Sequence, residues 1–106
     1  GHPTGRLINE RDPFDIDMEK VIQAAKERGC LLEVNAHPDR LDLSDIYCKM
    51  AKEAGAKIAV STDAHQTDHL QYIRFGIGQA RRGWLESSDV ANTRTLKQLR
   101  KLLKRD

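Results

Sequence analysis

Apolar residues recur at helical spacing twice in the first half of the chain, and each time a glycine stops the run. Met18, Val21, Ile22 and Ala25 share one face of a helix predicted over residues 17–28, with Asp17 as N-cap and Gly29 just past its end. Leu43, Ile46, Tyr47, Met50, Ala51 and Ala54 form the stripe of a second helix, over about 43–54, capped by Asp42 and ended by Gly55. Two shorter runs have the length of strands. Residues 30–35 alternate, with Leu32 and Val34 on one face and Leu31, Glu33 and Asn35 on the other. The run from Lys57 through Val60 is mostly apolar and stops abruptly at Ser61-Thr62-Asp63-Ala64-His65, as a buried strand does at its end. A third helical stretch spans about 68–82, where Gly76 and Gly78 cost helix stability and predict a kink. Residues 87–93 read as a turn. A last helix over 94–104 turns Leu96, Leu99, Leu102 and Leu103 inward and ends in cations, which suit the negative end of its dipole. Residues 1–16, punctuated by Pro3, Gly5 and Pro13, read as loop.

The order is loop, helix, strand, helix, strand, helix, helix. Strands joined by helices of crossover length pair in parallel, so the class is α/β. Two parallel strands do not make a self-sufficient sheet. Glu33, on the same face as Leu31, suits a barrel lumen or an open edge. The pattern is that of a slice of a β/α barrel or of a layered α/β domain. Gly1-His2-Pro3-Thr4-Gly5 has loop chemistry with no initiator methionine before it, so residues 1–106 are expected to be a single-domain piece whose earlier strands are missing. Unpaired strand edges would then invite self-association.

Composition narrows the class further. The 106 residues carry 18 Lys and Arg against 16 Asp and Glu, a net charge of +2, which is not the strongly basic balance of a dedicated nucleic-acid binder. No apolar run approaches the roughly 20 residues of a membrane span, and no signal peptide opens the chain. Cys30 and Cys48 lack paired metal spacing and read as reduced, half-buried packing residues of a cytoplasmic protein.

The chemistry concentrates at strand ends. Asp63 and His65 lie just past a strand's carboxyl edge, where α/β folds collect ligands and catalytic groups. On extended backbone, side chains two apart face the same way, so one ion could meet both. A carboxylate with an imidazole suits zinc, manganese or iron(II); a turn residue beside a solvated histidine is the competing reading. His2, held between glycine and proline, occupies a second such loop, with a loose terminal residue as the competing reading. His37 follows the strand ending at Asn35 and could meet metal or phosphate, or simply rim a proline turn. His69 reads as structural. Arg81 and Arg82 could hold phosphates, or be a solvated pair beside Trp84.

Gly1-His2-Pro3-Thr4-Gly5-Arg6, Glu33-Val34-Asn35-Ala36, Ser61-Thr62-Asp63-Ala64-His65 and Ala80-Arg81-Arg82-Gly83-Trp84-Leu85 together resemble the PHP (polymerase and histidinol phosphatase) domain, in the form found in bacterial and archaeal family X DNA polymerases. The resemblance spans essentially the whole chain. It implies the C-terminal portion of a distorted (β/α)₇ barrel, with up to three divalent ions, manganese or zinc, at the strand ends. His2, Asp63 and His65 match metal-binding positions, with Asp63 and His65 catalytic. Arg6, Asn35, His37, Arg81 and Arg82 are substrate-binding candidates. The implied activity is metal-dependent 3′–5′ exonuclease hydrolysis of DNA in repair, with DNA, the rest of the barrel and a polymerase core as partners. The family's His-x-His motif is absent here, so this stretch alone is expected to be inactive. A non-catalytic module that stabilises a polymerase or binds DNA, and a small-molecule phosphatase, are the alternatives.

Overall fold

The structure, a computed structural model, describes residues 1–104. Helix α1 covers Met18–Arg28; the Asp17 carboxylate accepts from the Lys20 amide, and Gly29 closes the helix in the left-handed conformation that glycine adopts without cost. Strand β1, Leu32–Asn35, leads into a loop and then α2, Asp45–Ala54, again closed by a left-handed glycine, Gly55. Strand β2, Ile58–Ser61, pairs in parallel with β1, with Leu32 opposite Ile58 and Asn35 opposite Ser61. The core lies where α1 and α2 cover this pair: Met18, Ile22, Leu32, Val34, Cys48, Ala51, Ile58 and Val60 are all buried.

Several expectations are corrected. The N-cap of α2 is Ser44, whose hydroxyl accepts from the Tyr47 amide, and not Asp42. Asp42 is instead fully buried, its carboxylate accepting the amides of Thr4 and Gly5 at 3.0 Å each. Ile46 lies off the buried stripe and is 70% exposed. The third helical stretch is two elements, a 3₁₀ segment Thr67–Tyr72 followed by α3, Ile73–Arg82, which runs through both glycines. Gly76 serves close approach: a Cβ there would stand 2.5 Å from Val60 Cγ1 and 2.7 Å from Ala36 Cβ, so its absence lets α3 lie against the sheet. The last helix, α4, is shortened to Leu96–Leu102, and Leu96 and Leu103 face solvent. Its Thr95 and Gln98 form a reciprocal capping box. The cysteines are not half-buried: Cys30 is exposed and Cys48 is buried.

Both edges of the strand pair are occupied. On the far side of β1, Asn35 exchanges backbone hydrogen bonds with Asp42, and the Leu43 amide donates to the Glu33 carbonyl. On the far side of β2, Ile58 bridges to Val90. The Asn92 carboxamide satisfies both backbone groups of Val60, accepting from its N–H and donating to its C=O at 2.8 Å each. A side chain here does the work of a neighbouring strand, and the unpaired edges expected above do not occur on this pair. The sheet of the described residues has these two strands, so they do not themselves close a barrel. No helix among them is long and apolar enough to cross a membrane.

Candidate active site

Strand β2 ends at Ser61, and two residues later Asp63 takes a left-handed backbone conformation (φ 54°), which Asp tolerates better than most residues. The chain therefore turns between Asp63 and His65 instead of staying extended. The turn, not a shared strand face, brings the two together: His65 Nδ1 lies 2.7 Å from the Asp63 carbonyl and 3.9 Å from its Oδ1. A carbonyl can only accept, so Nδ1 carries a hydrogen, and in the neutral ring the lone pair is on Nε2.

Asn35, at the matching end of β1, is buried and locks this turn to the next loop. Its Nδ2 donates to Asp63 Oδ2 at 3.1 Å while its Oδ1 accepts from the His37 amide at 3.0 Å. Arg40 brings its Nε to 3.9 Å from the same Asp63 oxygen, with its side chain only 19% exposed. Arg6 fastens that loop from the other side, donating to the carbonyls of Arg40 and Leu41. Two of its three guanidinium nitrogens are engaged by backbone, so Arg6 latches this loop.

His2 reaches the site through its backbone. Its amide donates to Glu33 Oε1 at 2.8 Å, and Ser61 donates its hydroxyl to the other Glu33 oxygen. Burial by itself would raise the Glu33 pKa. Hydrogen bonds from the Ser61 hydroxyl, the His2 amide and the Asn35 amide favour the charged form, and the carboxyl lies below its ordinary value. Glu33 and buried Asp42 thus tether the 2–5 turn to β1 and to the loop after it. The His2 side chain itself is exposed. Among the described residues no three His, Cys, Asp or Glu side chains gather as a metal site, so His2 is not drawn together with Asp63 and His65 into one cluster.

His69 joins the site although its sequence context points to nothing. It stacks on Tyr72 at 4.9 Å, and His37 meets both rings edge-on at 5.5 and 5.1 Å. The available signal was spacing: in the 3₁₀ segment, His69 is close enough for the His65 amide to donate to its Nδ1. Arg40 gave no such signal, because its partner is 23 residues away in sequence. Arg82 lies elsewhere, pairing with Asp45 at 3.4 Å in a groove formed with Ile46, Lys49 and Met50 of α2; Arg81 is exposed near it. Among the described residues no hydrogen bond or ion pair connects these two arginines to Asp63.

No family model matches the chain. It is 41% identical over 105 residues, 99% of its length, to the DNA polymerase/3′-5′ exonuclease PolX of Bacillus subtilis, and spans 18% of that protein. Over 71 residues, 61% of the chain and 26% of the relative, it is 38% identical to a protein of Thermoanaerobacter sp. named as a probable phosphatase. A similarly named protein of Caldanaerobacter subterraneus subsp. tengcongensis is 34% identical over the same length. The chain is therefore homologous to a segment of a PolX and to a segment of these phosphatases, and it covers only about a fifth to a quarter of the relatives it matches.

Proposed function

We propose that this chain supplies part of a metal-dependent phosphoesterase site of the PHP kind, within a family X DNA polymerase that removes nucleotides from DNA 3′ ends. The observation that carries this reading is the turn just past the carboxyl end of a parallel strand pair, which holds the His65 ring against Asp63, with Nδ1 2.7 Å from its carbonyl and 3.9 Å from Oδ1. The homology to a PolX over nearly the whole chain supports it.

The donor set suits a divalent ion, manganese or zinc, in chemistry though not in number. Asp63 offers a carboxylate, and the His65 ring, whose Nδ1–H meets a carbonyl, has Nε2 left for an ion in its neutral form, the usual arrangement of a metal-binding histidine. The structure does not gather His2 with this pair, so the further ligands of up to three ions would come from His2 after a rearrangement of its turn or from outside these residues. Such an ion, when bound, lowers the pKa of water to near neutrality and steadies charge on phosphate oxygens. Asn35 holds the Asp63 carboxylate in place, and Arg40 offsets the negative charge gathered there.

The intact protein should degrade single-stranded DNA with manganese, and Asp63→Asn or His65→Ala should lower the rate by about a hundredfold or more, since even outer partners of ligands cost about 10–100-fold. The 106-residue chain alone should be inactive. Full activity in both variants would overturn the assignment. The similarity to phosphatases favours a second reading, hydrolysis of small phosphate monoesters. Turnover of p-nitrophenyl phosphate without cleavage of DNA would select it. Loss of both, with DNA binding kept, would select a non-catalytic module.

A further inference from the structure

His37, His65 and His69 differ in which ring nitrogen holds the hydrogen in the neutral ring, and backbone partners reveal it. A backbone N–H only donates, so the ring nitrogen that receives it holds a lone pair. The Asp39 amide donates to His37 Nδ1 at 3.1 Å, and the His65 amide donates to His69 Nδ1 at 3.2 Å. In the neutral ring, the hydrogen of each then sits on Nε2. The 3.7 Å approach of the Asp39 carboxylate to His37 Nδ1 is accordingly not an ion pair in this form. His65 is the reverse, with Nδ1–H on the Asp63 carbonyl and a lone pair on Nε2.

We propose that His37 and His69 form an anion-binding pair, whose Nε2–H groups donate to the non-bridging oxygens of the substrate phosphate. His65 alone of the three offers its lone pair to an ion. The two donor rings are 5.5 Å apart and half-buried at the rim of the site. Tyr72 stacks on one and meets the other edge-on, which holds both orientations. The largely buried Arg40, on the same loop as His37, adds a cation beside Asp63. Neither donor ring can ligate an ion through Nε2 without giving up that hydrogen, because its Nδ1 is already engaged. The phosphate class of the ligand rests on the function proposed above; the tautomers do not.

Long-range proton–nitrogen correlation spectra of the chain, at mildly alkaline pH, read the tautomers directly. His37 and His69 should show Nε2–H and His65 Nδ1–H. Thymidine 5′-monophosphate should then shift the His37 and His69 Nε2–H signals, while thymidine should not. His69→Gln can place an N–H near the same point and should keep affinity within about twofold. His69→Phe keeps a ring on Tyr72 without the donor and should lose about tenfold, the scale of one hydrogen bond to a charged group. Circular dichroism of both variants checks that they fold. An Nδ1–H tautomer at His69, equal shifts by thymidine, or loss of either Nε2 hydrogen on adding zinc would overturn the pair. A failed nuclease assay beside positive nucleotide shifts would instead remove the exonuclease reading and leave the anion pair standing.

Discussion

At the scale of single residues, the site is built by side chains that each hold two things at once. Asn35 joins Asp63 to the His37 loop, and Glu33 joins the His2 turn to Ser61. The two cysteines separate just as sharply. Burial, then the nearby Asp45 and Asp42 charges, push the Cys48 thiol up to about 12. An acid whose folded pKa is raised favours the protonated form in the folded state. Between the unfolded value and about 12 the unfolded chain binds fewer protons, so stability is unaffected below that window and falls as pH rises through it, by at most about 1.4 kcal/mol per pH unit. A thiol reagent near pH 8 should modify exposed Cys30 quickly and Cys48 only as fast as the structure opens. Equal labelling rates, followed by mass spectrometry, would refute this placement.

At the scale of elements, α3 shows that two glycines in one helix can have opposite roles. Gly76 faces Val60 and Ala36 with no room for a methyl group, whereas nothing lies within 4 Å of a Cβ at Gly78. Gly76→Ala should destabilise by about 1–3 kcal/mol through overpacking, and should disturb the site because α3 rests at the end of both strands. Gly78→Ala should stabilise by up to about 1 kcal/mol through helix propensity and reduced unfolded-state entropy. Paired denaturant melts test both signs. The helical pattern of residues 68–82 was legible, but the change to a 3₁₀ turn before Ile73 was not. That turn delivers His69 and Tyr72 to His37, and its geometry answers to ring packing as well as to local propensity.

At the scale of the whole molecule, the decisive feature is how a two-stranded parallel sheet keeps both edges covered. Asp42 and Leu43 occupy one side, and Val90 with the Asn92 carboxamide occupies the other. Asn92→Ala would strip two hydrogen bonds from the Val60 backbone. It should cost about 1–3 kcal/mol, and expose a strand edge that pairs with other chains. Sedimentation should find the variant associating at concentrations where the parent chain does not. Equal association of the two would show that Asn92 does not guard this edge.

The sequence by itself determined the features whose partners lie within a few residues. The Asp17 cap, the glycine stops at 29 and 55, the two strands and the place of Asp63 and His65 at a strand end all follow from short-range pattern, and the structure has each of them. Tertiary structure decided which partners the polar groups found. Asp42 has the look of a helix cap, but it is buried because the amides it serves are 37 and 38 residues away. Arg6 has the look of a phosphate ligand, yet its guanidinium meets carbonyls 34 and 35 residues off. Asn92, read as part of a turn, completes a strand 32 residues away. A capping bond forms wherever its few residues stand in order, whereas these pairings exist only once folding has brought distant backbone groups out of water and left them needing partners.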